Sequence, residues 1–367
     1  MVISWIIVAF FHTDQKNIMV IMFNIQKNQK QTKKMKISIV GTGKIVEEVL
    51  QMFKNEFAEK IEVTGILARE HSIERAIDLC QAYAPTGFVF TDFDRMLEEA
   101  EADYVYIANA NHVHYEYAMQ AMIAGKNVIV EKPIAVNRAQ TEHLIDTAIQ
   151  RCVYCLPAFS LLYMPLLRQL QEVLPMIGTI RMVHCNYAQR SSRYDRYLKG
   201  EITPVFDPSM AGGTLADLNI YNLCFSIGLF GPPRTIHYHC NRGYNGIDIS
   251  GTLLCHYPTS LAVLSASKDS DGLSYGCIQG EDGYIEIHSS VSTLESFTLH
   301  LNGKEPITYK NDSKRHRLSY EFEEFIALVE NKQACNIVIP YVTRVMQEIS
   351  IAQERMLQGI EVRESND

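Results

Sequence analysis

Residues 36–40, followed by Gly41-Thr42-Gly43-Lys44-Ile45-Val46, constrain this chain more than any other stretch. An apolar β-type run stops at a glycine turn. Behind it, Ile45, Val46, Val49, Leu50, Phe53 and Phe57 recur at the spacing of one helix face. Strand, glycine turn, helix is the context of a dinucleotide fingerprint. Gly41 permits the tight turn, and Gly43 lets the backbone approach a pyrophosphate. The pyrophosphate would sit at a helix N-terminus, where unpaired N–H groups and the dipole favour anions. Thr42, Lys44 and Ile45 complete the expected cofactor turn. The third glycine of the fingerprint is absent, so Val46 must fit between helix and strand.

The segments that follow repeat the unit. Residues 61–67, 88–90, 104–108 and 127–130 read as strands. Helical periodicity appears around Ile73, Ala76, Ile77 and Cys80, around Phe93, Met96, Leu97 and Ala100, over 115–124, and over 138–150. Such alternation predicts an α/β Rossmann domain with a parallel, doubly wound sheet over residues 35–155. The second half changes character. A strand over 153–159 leaves the first domain and a helix opens at Pro165. β-type runs then follow at 179–187, 235–241, 247–257, 260–267, 274–279, 284–288 and 297–301, separated by short turns. With helices over 214–230, 318–330 and 341–357, this predicts an α+β domain with a large, mostly antiparallel sheet over 156–367.

At 367 residues the chain is long enough for two such cores. A formal net charge of -8 argues against nucleic acid as a partner. Nine cysteines, an odd number scattered through apolar segments, suit reduced thiols in a cytoplasmic protein. Cys152 and Cys155 lie in a β-like run with no second pair to complete a zinc site, and read as core thiols. Residues 1–34 differ from the rest: Lys16, Lys27, Lys30, Lys33 and Lys34 against Asp14 make them +4. Their apolar patches are too short to span a bilayer, and no signal peptide is evident. The expectation is that the globular protein starts at Met35, that 1–34 is an extension outside the fold, and that no membrane is involved.

Four places carry candidate chemistry. Leu67-Ala68-Arg69-Glu70 ends the second strand, where Arg69 can meet a 2′-phosphate or stack on adenine. That leans towards NADP, while Glu70 keeps NAD open. Asn109, Asn111 and His114 follow the fourth strand and would line the nicotinamide side, with Asn111 also suited to cap the next helix. No ligand set for a metal accompanies the His112-Val113-His114 pair. Glu131-Lys132-Pro133 ends the fifth strand, and Pro133 stops regular pairing there. A lysine at that edge can face a cofactor phosphate or a developing alkoxide, although alone it reads as a solvated loop residue. Finally, Gly212-Gly213 precedes Asp217 and Tyr221, one helical turn apart on an apolar helix. A buried Asp needs a partner, and an acid with a phenol is unusual as core filling.

Taken in order, these motifs closely resemble the Gfo/Idh/MocA family of NAD(P)-dependent oxidoreductases, over residues 35 to about 360. The resemblance implies a Rossmann domain with a larger antiparallel-sheet domain whose open face often forms a homodimer or higher oligomer. It implies hydride transfer between the nicotinamide and a secondary hydroxyl or ketone of a sugar, polyol or dihydrodiol. Glu131, Lys132 and Pro133 map to the family's cofactor-side tripeptide; Lys132, Asp217 and Tyr221 map to its catalytic groups. The tyrosine form resembles the glucose-fructose oxidoreductase and dihydrodiol dehydrogenase branches. Tyr163, Arg190 and Asn222 are the expected substrate contacts; the arginine often found before the aromatic residue at 163 is missing. Asn109 stands where Thr or Ser is usual. Two rival activities share the fold: a non-catalytic cofactor-binding regulator and an NAD-dependent glycosidase.

Overall fold

The structure is a computed structural model and describes residues 7–10, 19–22 and 34–330. Two short strands, β1 (Ile7–Phe10) and β2 (Met19–Met22), pair only with each other. The expected helix over 341–357 lies outside the described residues.

The first large unit alternates strand and helix. Its strands are β3 (Met35–Val40), β4 (Ile61–Leu67), β5 (Phe88–Phe90), β6 (Tyr104–Ile107), β7 (Asn127–Glu131) and β8 (Cys155–Ala158). Between them run α1 (Lys44–Glu56), α2 (Ile73–Tyr83), α3 (Phe93–Glu99), α4 (His114–Ile123) and α5 (Arg138–Arg151). All strand pairs are parallel, in the order β5-β4-β3-β6-β7-β8. The chain reverses direction across the sheet between β3 and β6, and ligands bind outside the carboxyl ends of strands at such a switch point. Val40, Leu67, Ile107 and Val130 lie in register there. Because side chains alternate along a strand, Tyr104, Tyr106 and Ile129 enter one core while Val105, Ile107, Val128 and Val130 enter the other. Both faces are covered, which is why the strands read as continuous apolar runs. The expected boundary at 155/156 falls inside β8, the sixth strand of this sheet.

The second unit follows α6 (Pro165–Val173). It is an eight-stranded sheet in the order β10-β11-β12-β9-β13-β14-β15-β16. Its strands are β9 (Ile180–Ala188), β10 (Thr235–Arg242), β11 (Asp248–His256), β12 (Leu261–Ser267), β13 (Tyr275–Gly280), β14 (Gly283–Ile287), β15 (Ser296–Leu301) and β16 (Ile307–Lys310). Every pair is antiparallel except β12 with β9. That parallel pair forms because α7 (Tyr194–Leu198), α8 (Ile220–Phe230) and two strands intervene in the chain. One face, with Val183, Leu253, Leu264, Ile278 and Ile285, joins the core of the first unit through α6 and α8. On the other face Tyr275, Tyr284 and Glu286 are exposed.

α9 (Ser319–Glu330) returns to the first sheet. Phe322 meets Phe53 of α1 edge-on at 4.7 Å, and Phe325 meets Tyr163 at 5.4 Å. Cys152 and Cys155 do not behave alike. Cys155 is buried in β8, whereas Cys152 ends α5 in a left-handed conformation and is exposed, correcting its reading as a core thiol.

Candidate active site

The turn between β3 and α1 is shaped for a phosphate. Gly41 has φ +120°, and a Cβ there would lie 2.7 Å from the Ala108 carbonyl oxygen, so only glycine fits. Gly43 is extended and starts α1, whose first turn has no side-chain cap. The leading N–H groups of α1 therefore remain available to an anion, and the space where a Gly43 Cβ would point is open. Thr42 and Ile45 flank the turn half-buried or nearly so, and Lys44 projects into solvent. Val46, in place of the third glycine, is fully buried against the sheet. Two polar atoms just past the end of β6, Asn109 Oδ1 and His112 Nδ1, are buried without a hydrogen-bond partner among the described residues. Such orphaned groups beside a glycine cradle fit a polar cofactor. Arg69 follows β4 by two residues and is exposed, at the place where a ribose or its phosphate would lie.

Two of the expected cofactor residues do something else. Asn111 donates through Nδ2 to the Ala211 carbonyl at 3.1 Å, so it ties the first unit to the Gly212-Gly213 loop. It does not cap a helix with its side chain. His114 is buried, with Nδ1 2.8 Å from the Pro133 carbonyl and Nε2 3.3 Å from that of Asn109. Burial pulls its pKa down, and a neutral ring has one N–H, which the shorter contact to Pro133 takes. His114 thus braces the turn that carries Lys132, in place of the cofactor contact expected of it.

The reactive groups gather at the end of β7. The Lys132–Pro133 bond is cis. The Lys132 side chain is 16% exposed, and its ammonium donates to Asp217 Oδ1 at 2.9 Å and to the Asp217 carbonyl at 3.0 Å. It also lies 5.1 Å from the centre of the Tyr221 ring. The second oxygen of Asp217 accepts from Lys268, whose side chain is only 3% exposed. Phe159 and Tyr187 flank the Tyr221 ring at 6.4 and 6.3 Å. Neither they nor Lys268 were expected from the sequence.

Local structure explains why Asp217 points here. Residues Leu215–Asn219 form a π-helical turn, a bulge common at functional sites, ahead of α8. The turn is anchored by Asp248, which accepts from the Leu215 N–H at 2.7 Å and the Tyr238 hydroxyl at 2.7 Å. Gly213 has φ +106°, and any Cβ would collide with the Asp248 carboxylate. On the far side Asn219 donates to the Leu264 carbonyl and Asn222 to that of Ser265, each at 2.9 Å, which clamps the turn to β12.

The charges reinforce one another. Burial disfavours the Lys132 cation, but Asp217 and Tyr221 outweigh it and hold its pKa above the usual lysine value. Burial likewise opposes the Asp217 anion, yet Lys132 and Lys268 hold that carboxyl well below its ordinary range. Burial raises the Tyr221 phenol, with Lys132 and Arg317 pulling the other way. Glu131 is half-buried, accepts from the Tyr106 hydroxyl at 2.6 Å, and is shifted up by burial. It stands behind Lys132 as a braced carboxyl.

The three expected substrate contacts fare differently. Tyr163 is buried against Phe325 in the core beneath α9, and its hydroxyl has no partner among the described residues. Asn222 is fully buried in its clamp to β12. Both side chains are buried in these contacts, and neither hydrogen-bonds Lys132 or Asp217 among the described residues. Arg190 lies two residues beyond β9. It is engaged by Asp195 at 2.5 Å and stacks on Tyr194. Among the described residues no cluster of three or more His, Cys, Asp or Glu is placed to hold a metal, and no helix is long and apolar enough to cross a membrane.

Known proteins share this design. Residues 35–159 match the GFO/IDH/MocA oxidoreductase family with its NAD-binding Rossmann fold, and 168–287 match the GFO/IDH/MocA C-terminal domain. The chain is 31% identical to scyllo-inositol 2-dehydrogenase (NADP(+)) IolU of Bacillus subtilis, over 81% of this chain and 89% of that one. It is 26% identical to trans-1,2-dihydrobenzene-1,2-diol dehydrogenase of Xenopus tropicalis, over 78% and 87%. The same fold occurs in KijD10, a 3-ketoreductase from Actinomadura kijaniata solved with NADP and TDP-benzene. That likeness has a TM-score of 0.75 at 17% identity, covering 88% of this chain and 98% of that one.

Proposed function

The chain belongs to the Gfo/Idh/MocA family, NAD(P)-dependent oxidoreductases acting on CH–OH groups, and from that premise we propose that it interconverts a secondary alcohol and its ketone on a sugar, polyol or dihydrodiol. NADP is the cofactor we favour. The observation that carries the reading is the Lys132–Asp217 ion pair set over the Tyr221 ring at the carboxyl edge of the parallel sheet. The preference for NADP rests on Arg69 just past β4. The NADP in the name of IolU and its presence with KijD10 agree with it.

A bound nicotinamide supplies the hydride exchange, through its C4. The chain has three tasks of its own. The α1 N-terminus, Gly41 and Gly43 hold the diphosphate, with Asn109 and His112 offering buried polar atoms nearby. Lys132 stays cationic and favours negative charge on the substrate oxygen as the C–O bond changes order. Tyr221 handles the proton: its hydroxyl gives H⁺ to that oxygen during ketone reduction and takes it back during alcohol oxidation. Burial keeps the phenol neutral at ordinary pH, and the nearby Lys132 ammonium offsets part of the cost of forming its phenolate. Asp217 keeps Lys132 in place. The exposed sheet face with Tyr275 and Tyr284 supports, as part of the same proposal, a homo-oligomer formed through the large sheet.

The test is fluorescence titration with NADPH and NADH, followed by a panel of secondary alcohols with the preferred oxidised form, starting with scyllo-inositol and trans-1,2-dihydrobenzene-1,2-diol. The proposal expects tighter NADPH binding and turnover of a cyclic alcohol. Tight binding without turnover across the panel supports the regulator. Sugar release from a glycoside without net cofactor reduction supports the glycosidase. Absence of binding to either nucleotide contradicts the reading altogether.

A further inference from the structure

Lys268 is a cation that the reaction as described does not use. It follows β12, where its N–H donates to the Ile249 carbonyl and its own carbonyl accepts from Ser191, both at 2.8 Å. Its ammonium lies 5.5 Å from the centre of the Phe206 ring and hydrogen-bonds Asp217 Oδ2. Phe206 belongs to a small aromatic core with Tyr197, the two rings stacked at 4.8 Å. That core covers the lysine. An ammonium this deeply buried is costly unless paired, and the carboxylates facing it are Asp217 and Asp248.

The arrangement is a row, Lys268–Asp217–Lys132, with one carboxylate oxygen given to each lysine. A lone Lys132–Asp217 pair would present a substrate oxygen with no net charge. Lys268, itself also faced by Asp248, draws on the Asp217 carboxylate, so Asp217 compensates less of the Lys132 charge at the open end of the row. It also prevents Asp217 from turning both oxygens onto Lys132, which would occupy more of the ammonium's three donors. We propose that Lys268 is a positioning residue of the reaction: it holds Oδ2 of Asp217 so that Lys132 keeps a donor and uncompensated charge for the substrate oxygen.

The inference rests on the roles given above to Lys132, Asp217 and Tyr221. The charged groups that face Tyr221 are Lys132, Arg317, Glu131 and Asp217. Removing Lys268 frees Asp217 to act more strongly on both Lys132 and Tyr221, so the phenol holds its proton more tightly.

The experiment compares full-length wild type, Lys268→Met, Lys268→Arg, Asp217→Asn, the double variant Lys268→Met/Asp217→Asn, and Lys132→Met, in oxidation of an alcohol that wild type oxidises, with its preferred oxidised nucleotide, over a range of pH. Lys268→Met is expected to lower kcat about tenfold or more, the worth of one pKa unit, with KM little changed and the alkaline limb moved to higher pH. Lys268→Arg should restore most of the rate and the original profile. In the Asp217→Asn background Lys268→Met should cost much less. The crystal structure of Lys268→Met, which needs no turnover, should show Asp217 rotated with both oxygens on Lys132. An unchanged carboxylate in that structure overturns the proposal. So does an unshifted pH profile in a folded Lys268→Met that binds NADPH normally, while Lys132→Met is inactive. If Lys132→Met itself keeps full activity, the fault lies with the catalytic reading beneath.

Discussion

The ammonium of Lys132 lies 2.9 Å from Oδ1 of Asp217, a residue 85 positions later in the chain. Lys132 ends a strand of the parallel sheet and Asp217 sits on a π-helical turn clamped to the other sheet. The site therefore exists only once both units have folded and docked. Asn111, reaching Ala211 at 3.1 Å, makes a second tie across the same junction. Geometry held this way from two rigid sheets is what orientation in catalysis demands.

Arg69 is the residue expected to choose the cofactor. Arg69→Ala should weaken NADPH binding about tenfold, as for loss of one charge-assisted contact worth roughly 1.4 kcal/mol. NADH binding should change little. Parallel fluorescence titrations decide it, and an equal loss for both nucleotides would mean that Arg69 stacks on the adenine and does not read a phosphate.

Tyr221→Phe should reduce kcat by about 10²- to 10⁴-fold, the usual worth of a positioned acid–base group. The sign of the pH dependence follows from burial, which raises the Tyr221 pKa above its ordinary value. Alcohol oxidation needs the Tyr221 phenolate to accept the proton, so the wild-type rate should still be climbing above pH 9, where most histidine or carboxylate bases are fully deprotonated. The residual rate of Tyr221→Phe should lack that rise. An unaltered slope in the variant would assign the proton to another group.

Glu321 on α9 predicts a stability effect with a definite pH window. It is fully buried, neither carboxyl oxygen has a partner among the described residues, and burial together with the Glu131 charge pushes its pKa well above the usual carboxyl value. The folded state therefore keeps a proton that the unfolded chain releases near pH 4.3. Stability falls as pH rises from there towards the folded pKa. Glu321→Gln should raise Tm at pH 8 and leave it nearly unchanged at pH 4. A gain of equal size at both values would point to packing instead.

Much of this arrangement is legible in the sequence, and the remainder is not for identifiable reasons. The glycine turn, the β/α alternation and the runs from 179 to 301 all carry periodic signals, and the observed strands follow them closely. Lys132, Asp217 and Tyr221 stand out because charged or phenolic groups interrupt apolar segments. Tyr163 and Asn222 read as substrate contacts in the sequence and are buried in the structure. Asn222 adjoins Tyr221 on a helix, where neighbours diverge by about 100°, and its side chain turns to the Ser265 carbonyl of β12. Tyr163 turns towards α9, which arrives more than 150 residues later and leaves no trace in the local pattern. Lys268 is invisible for a similar reason. It reads as a lysine in a polar turn, and only the aromatic lid of Tyr197 and Phe206 makes it a buried cation. His114 reads in the sequence as one of the polar groups lining the nicotinamide side, yet a carbonyl lies against each ring nitrogen.

The most direct test of the account is the rate of NADP⁺ reduction by wild type and Lys132→Met, measured with an alcohol that wild type oxidises, alongside NADPH affinity. The account predicts a loss in kcat of about 10²- to 10³-fold, the worth of a preorganised electrostatic contact to a developing oxyanion, with NADPH binding essentially retained. Equal turnover by Lys132→Met would contradict it and remove the ion pair with Asp217 from the reaction.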